Sequence, residues 1–319
     1  MTELFGGLIV GGEHVEPGTR KRIDISIARL PSGTNVSLPV IVLRGKRPGP
    51  GVFLNAAIHG DEIDGLEIIL EILERVKVKS IRGTIIAVPV VNVFGFITAS
   101  RYLPDRRDLN RSFPGSETGS LAARLAHLFM QNVVLHCQYG IDFHAGSHHR
   151  TNLPQIRADL SDPETLRLAE AFGPRIILDA ALRPGSLREA AGSRGIRTLV
   201  HEAGEPSRFD PYSGAEAVEG TLRVLHAVGV VETPPEPSPY EPVKIGRSKW
   251  VRASRSGILR PSVRLGQLVR QKEKLGVISD IYGEQKAPVR AAFAGVVLGL
   301  QLNPLVHRGD ALVHIGEPE

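Results

Sequence analysis

The chain has 319 residues, 42% apolar and 23% charged, the balance of a globular protein with one large domain or two ordinary ones. A net charge of +5 with only 5% aromatic residues argues against nucleic-acid binding, because bases need stacking platforms as well as cations. No run approaches the ~18 apolar residues of a membrane span, the first residues lack a secretory leader's pattern, and the single cysteine, Cys137, excludes a disulfide framework, so a cytoplasmic location is expected.

In chain order, "RIDISIARL" and "NVSLPVIVLR" read as a hairpin around Pro31, Ser32 and Gly33. A strand over 51–57, a helix over 62–77 and a strand over 84–92 follow. A helix over 120–136 runs on to Cys137, which is assigned to it. Then come a strand over 140–144, a helix over 162–172, a strand over 197–202 and a helix over 214–228. This alternation predicts an α/β fold: a mixed, mostly parallel sheet with helices on both faces. The segment "VETPPEPSPYEPVK" has five prolines from Pro234 to Pro242 and reads as a semi-rigid spacer. Beyond it the helical period disappears, and short Val/Leu/Ile runs alternate with glycine. The segment also repeats itself: Gly257 aligns with Gly295, Val269 with Val306, Leu275 with Leu312 and Ile278 with Ile315. Two interlocked copies predict a C-terminal all-β barrel-sandwich of the biotinyl/lipoyl kind. The expected division is a catalytic domain over 1–232, a linker over 233–242 and a barrel over 243–319. Lys286 lies near the position of a lipoyl lysine, but the turn before it is too long for that role, so the barrel is read as a lid or an interface. Residues 241–319 hold 13 Lys and Arg against 7 Asp and Glu, while the rest of the chain is close to neutral. A basic barrel edge at the mouth of the site would draw in small anionic substrates.

Ligands of such sheets bind beyond the carboxyl ends of the strands. There the sequence puts His59 and Glu62, then Asn92, then His144 after Asp142, then Glu202. His59, Glu62 and His144 make a two-histidine, one-carboxylate set that suits a catalytic zinc with its fourth position open to water. Glu202 is then free to act as a base. The plainer reading of "HGDE" is a helix N-terminus, where Asp61 and Glu62 suit the positive end of the dipole. His148, His149 and His201 are neighbouring alternatives, although His201 should face the other side of its strand from Glu202. The segment "SRYLPDRRDLNRSFPG" carries Arg101, Arg106, Arg107, Asn110 and Arg111, either a carboxylate-binding loop or a solvated basic one.

Taken together, "HGDE", "DLNRSFPG", "DFH" and "HEAGE" resemble the succinylglutamate desuccinylase/aspartoacylase family, relatives of zinc carboxypeptidases, over most of residues 50–230. The segment beyond the linker is similar to the C-terminal barrel of bacterial deacylase-like members. The resemblance implies a zinc-carboxypeptidase-like fold and one Zn2+ per chain, held by His59, Glu62 and His144. It implies Glu202 as general base, Arg101 polarising the scissile carbonyl, Asn110 and Arg111 holding a substrate carboxylate, and Asp142 orienting a ligand. The spacing from Arg101 to "DLNR" is two residues longer than in aspartoacylase. The expected activity is hydrolysis of the amide of a small anionic N-acyl amino acid. The rival readings are a carboxypeptidase acting on peptide C-termini and a non-catalytic zinc-containing carrier. Residues 145–160, which directly follow His144, are expected to form a specificity loop. Neither nucleic acid nor membrane is an expected partner, and a homodimer is the expected assembly.

Overall fold

The structure, a computed structural model, describes residues 7–319. A small hairpin of β1 (Leu8–Val10) and β2 (Glu13–Val15) precedes the antiparallel pair β3 (Thr19–Arg29) and β4 (Asn35–Arg44), the hairpin expected around Pro31. The chain continues through β5 (Arg47–Ala56), α1 (Asp64–Arg75), β6 (Arg82–Val88), the short α2 (Val93–Ile97), α3 (Leu121–Asn132), β7 (Tyr139–His144) and β8 (Arg150–Ala158). It then forms α4 (Pro163–Phe172), β9 (Ile176–Asp179), α5 (Leu187–Gly192), β10 (Arg197–Gly204) and α6 (Pro211–Ala227).

Local chemistry sets the boundaries. Strand β6 stops before Pro89, which has no N–H for a ladder. Asp162 and Asp210 cap α4 and α6 through backbone N–H groups, each ahead of a proline at the first helical position. Helix α1 buries Ile68, Ile69, Ile72 and Leu73, a stripe at helical spacing.

Strands β9, β8, β10, β7, β5, β6, β4 and β3 lie side by side in that order. The pairs β5–β6, β5–β7, β7–β10 and β8–β9 are parallel, and β8–β10, β4–β6 and β3–β4 are antiparallel. The sheet is therefore mixed. Alternate residues of β5 enter different cores: Phe53 packs with Leu125 and Phe129 of α3, while Val52 and Leu54 pack with residues of α1, α4 and α6. Helices thus cover both faces.

Three sequence expectations need correction. Residues 145–160 are not a loop, because they contain β8; Pro154 and the polar residues of this strand hide its period. Cys137 lies outside α3, after the short 3-10 turn Val134–His136. The strand expected over 84–92 ends at Val88, and Asn92 instead caps α2 by accepting from Gly95 N at 2.9 Å.

After the proline-rich segment come β11 (Val243–Arg252), β12 (Gly257–Pro261), β13 (Leu268–Val269), β14 (Lys274–Ser279), β15 (Lys286–Arg290), β16 (Gly295–Gln301), β17 (Leu305–Val306) and β18 (Ala311–Pro318). The two sequence repeats interlock: β12 of the first pairs with β17 of the second, and β16 of the second with β13 of the first. Val269, Leu275, Ile278, Val306, Leu312 and Ile315 share one core. This region is continuous with the large sheet, since β11 runs parallel to β9 and β16 pairs with β8, giving twelve strands. Among the described residues no helix is long and apolar enough to cross a membrane.

Candidate metal and catalytic site

Strands β5, β7 and β10 are parallel neighbours whose carboxyl ends lie together, with Glu202 opposite His144 and Asn55 opposite Asp142. After β5 the chain turns through Ala57 at φ 51° and brings His59 and Glu62 to this edge. Gly60 permits the turn, because a Cβ there would lie 2.0 Å from the carbonyl carbon of Gly95.

Glu62 does not serve the helix that follows. Helix α1 begins at Asp64 without a side-chain cap, and Glu62 is 2% exposed and points into the sheet edge. Its Oε2 lies 2.7 Å from His144 Nδ1 and accepts from Ala145 N at 3.2 Å. Its Oε1 lies 2.8 Å from His59 Nδ1 and 3.2 Å from Arg101 Nη1. One atom each from His59, Glu62 and His144 lies within 4.8 Å of the others.

The far sides of both rings are anchored. His144 Nε2 lies 2.8 Å from Asp142 Oδ2, and Asp142 accepts in turn from Asn55 Nδ2 at 2.7 Å. His59 Nε2 lies 3.2 Å from Asp108 Oδ1. Each histidine thus has one nitrogen held by a carboxylate and the other turned to Glu62, the arrangement that fixes metal-binding imidazoles. His59 Nδ1 is buried and close to Glu62 Oε1 yet not aligned to hydrogen-bond with it. A buried ring nitrogen left without a hydrogen-bond partner among the described residues is the donor a cation would take. Electrostatics agree. Burial opposes a charge on either ring, but Glu62 and Asp108 hold His59 above the ordinary imidazole value, and Asp142 and Glu62 hold His144 well above it. Burial likewise opposes the Glu62 charge, and the two histidines outweigh it, leaving its pKa well below the usual range. The donor set therefore fits a zinc-like divalent ion.

The cluster lies in a cleft of about 680 Å³, which Arg101, Asn110, Arg111 and Glu202 also line. Arg101 reaches Glu62 and, at 2.8 Å, Asp108 Oδ2. Asn110 Oδ1 accepts from Leu187 N at 2.9 Å, which ties the 3-10 turn Leu109–Arg111 to α5. Glu202 is held by Asn152 Nδ2 at 2.7 Å and Arg157 Nη1 at 3.3 Å. The structure therefore brings all seven predicted site residues to one cleft. Six cationic residues lining it, Arg111, Arg150, Arg183, Arg188, Lys249 and Arg252, have no carboxylate within 4.0 Å among the described residues. Cationic side chains therefore outnumber the carboxylates that line the cleft, Glu62, Asp142, Asp179 and Glu202.

The model of the succinylglutamate desuccinylase/aspartoacylase catalytic domain matches residues 48–228 of this chain. The chain belongs to that family. It is similar to the N-alpha-acetyl-L-2,4-diaminobutyric acid deacetylase of Halomonas elongata, with 29% identity over 296 residues, covering 88% of this chain and 86% of the relative. It superposes on the succinylglutamate desuccinylase/aspartoacylase of Rhodobacter sphaeroides with a TM-score of 0.85 and 28% identity, covering 94% and 96% of the two chains. The product-bound ectoine utilization protein EutE (DoeB) of Ruegeria pomeroyi has the same fold, with a TM-score of 0.86 and 23% identity over 93% and 94% of the chains.

The matched span of this family member contains all seven predicted site residues and ends before β11. Of the neighbouring histidines, His201 lies on the other side of the sheet, 5.8 Å from the Phe172 ring and stacked on it, and burial lowers its pKa to about 4. His148 and His149 sit at φ 53° and 59° in the turn before β8, outside the cluster. Sequence reading missed three residues. Asp108 holds both His59 and Arg101, and its place in the "DLNR" motif was the available signal. Asn152 and Arg157 hold Glu202 from β8, where the sequence predicts a loop.

Proposed function

We propose that this protein is a zinc-dependent deacylase that hydrolyses the amide of a small anionic N-acyl amino acid. The observation that carries this reading is the buried His59–Glu62–His144 cluster, its histidines braced by Asp108 and Asp142, across one cleft from Glu202. Zinc bound there would supply Lewis-acid activation of water and of the scissile carbonyl. Glu202 takes the proton from the attacking water and passes it to the leaving amine. Arg101, 14% exposed at the rim of the cluster, stabilises the oxyanion as it forms. Asn110 and Arg111 hold the substrate carboxylate, for which the planar Arg111 fork is suited. The uncompensated cations of the cleft support an anionic substrate, and the Halomonas relative's name supports N-acyl amino acids as the class. The same reading divides the chain into a catalytic unit over 1–232, a linker over 233–242 and a C-terminal β unit over 243–319.

Elemental analysis of the purified protein, followed by a panel of N-acetyl, N-formyl and N-succinyl amino acids beside short peptides, tests the proposal. Stoichiometric zinc and turnover of an N-acyl amino acid are expected. Turnover of peptides alone would make it a carboxypeptidase, and bound zinc with no amide turnover would make it a carrier.

A further inference from the structure

Strand β8 is irregular where it passes the candidate base. Asn152 and Arg157 are five residues apart, so a regular strand would point them to opposite faces. Both nevertheless reach Glu202, one to each carboxylate oxygen. The reason is a bulge: Glu202 of β10 pairs with Gln155, but Gly204 pairs with Asn152, so β8 spends one extra residue there. Pro154 sits inside this stretch, where its missing N–H is tolerated. The extra residue reverses the parity of the strand and turns Asn152 to the cleft.

Asn152 is seated from outside the catalytic unit. Its backbone pairs with Gly299 of β16, near the end of the chain. A Cβ on Gly299 would lie 2.9 Å from Asn152 Oδ1, 3.2 Å from Trp250 Cη2 and 3.4 Å from His314 Cβ. The backbone at Gly299 does not need the left-handed region, so what a side chain there would displace first is the Asn152 amide. The side chain of Asn152 is thus confined between the bare backbone of β16 and the carboxylate of Glu202, and it is 5% exposed.

We propose that Asn152 is a positioning residue that fixes Glu202 for proton transfer, and that the C-terminal strands set its position through Gly299. This rests on the reading of Glu202 as the general base. The C-terminal unit then does more than wall the cleft, because it determines the aim of a group in the catalytic unit. The design resembles the bracing of metal-binding residues by partners beyond them, whose removal typically lowers activity ~10- to 100-fold.

The test is a double-variant cycle on the zinc-loaded full chain, with kcat and KM measured on whichever N-acyl amino acid the panel identifies. Asn152→Ala should lower kcat about tenfold or more, with KM and zinc content changed less than about twofold. Gly299→Ala should do the same in the native background, because the new methyl displaces the Asn152 amide, and should have almost no effect in the Asn152→Ala background. Losses that multiply in the double variant would overturn the proposal, as would an unchanged kcat for Asn152→Ala. Asn152→Ala decides the matter alone if Gly299→Ala does not fold; a loss of folded, zinc-bound protein that matches the loss of rate would reveal a merely structural role. Glu202→Gln separates this inference from the reading beneath it. Turnover retained in Glu202→Gln removes the base assignment and the positioning role with it, whereas turnover lost there but kept in Asn152→Ala removes only the positioning role.

Discussion

Acid should loosen this protein at His314, and the size of the effect follows from the site. The residue is 5% exposed, its ring stacked on Trp250 at 4.9 Å and 8°, and its Nδ1 has no hydrogen-bond partner among the described residues. Burial, followed by the nearby Arg157 guanidinium, lowers its pKa from 6.5 to about 3. Unfolding returns the ring to water, where it binds a proton near pH 6.5. Between the two values the unfolded chain holds one more proton than the folded chain, so stability is lost as the pH falls. The slope is ~1.36 kcal/mol per pH unit, and His314 alone should remove about 2 kcal/mol between pH 7 and pH 5. His314→Phe keeps a flat ring against Trp250 and cannot be protonated. Groups that titrate in both proteins, His59 and His144 included, cancel in the difference between them. The chain has one tryptophan, so urea denaturation followed by its fluorescence reports on this contact directly. Relative to the parent, the variant should gain about 2 kcal/mol from pH 7 to pH 5. Parallel stability curves would mean that the folded protein accommodates the imidazolium, and the argument from burial would fall.

Other substitutions probe the site itself. His59→Ala and His144→Ala should each lose zinc by elemental analysis, because two protein ligands remain, while His149→Ala should retain it; full occupancy in either of the first two would sink the ligand assignment. Glu202→Gln should keep zinc and fold but lower turnover at least ~10²-fold in a steady-state assay, because the amide cannot take the proton; an unchanged rate would point to another base. Asp108→Asn should weaken zinc binding ~10- to 100-fold in a competition titration with a chelator, since Asp108 braces His59. An unaltered affinity would show that packing alone orients the ring.

The parts of the site legible in the sequence were those attached to regular strands. Strands β5, β7 and β10 each carry short apolar stretches (Val52–Leu54, Ile141 and Phe143, Leu199 and Val200) that run into polar residues, so their ends could be located and His59, His144 and Glu202 read from them. Glu62 was equally compatible with a helix N-terminus, and only its contacts with His59 and His144 separate the two roles. Asp108 lies in a polar loop without a period, where composition does not reveal which carboxylate turns inward. Strand β8 was hidden because a bulge and a proline break its alternation, and β9 and α5 are too short, at 4 and 6 residues, to carry one. The repeats after the linker were visible through their matched glycines and valines, but the pairing of β11 with β9 and of β16 with β8 was not. Hydrophobic pattern says that a strand has a buried face and is silent about which strand lies beside it.

The continuity of the sheet has a consequence for how the protein comes into being. A ribosome delivers β8 and β10 well before β11 and β16, at a pace of roughly 5–20 residues per second. For those seconds β9 lacks the neighbour that will cover its edge, and the start of β8 is bare where Gly299 will later pair. The emerging chain therefore already holds every metal-site side chain but has not yet closed the wall that seats Asn152. A product released early would carry the His59–Glu62–His144 cluster on a sheet with an uncovered edge, which favours aggregation. Because Gly299 follows β10 by more than ninety residues, the wall beside Asn152 can close only after the catalytic strands have been delivered, and the order of synthesis becomes the order in which the site is completed.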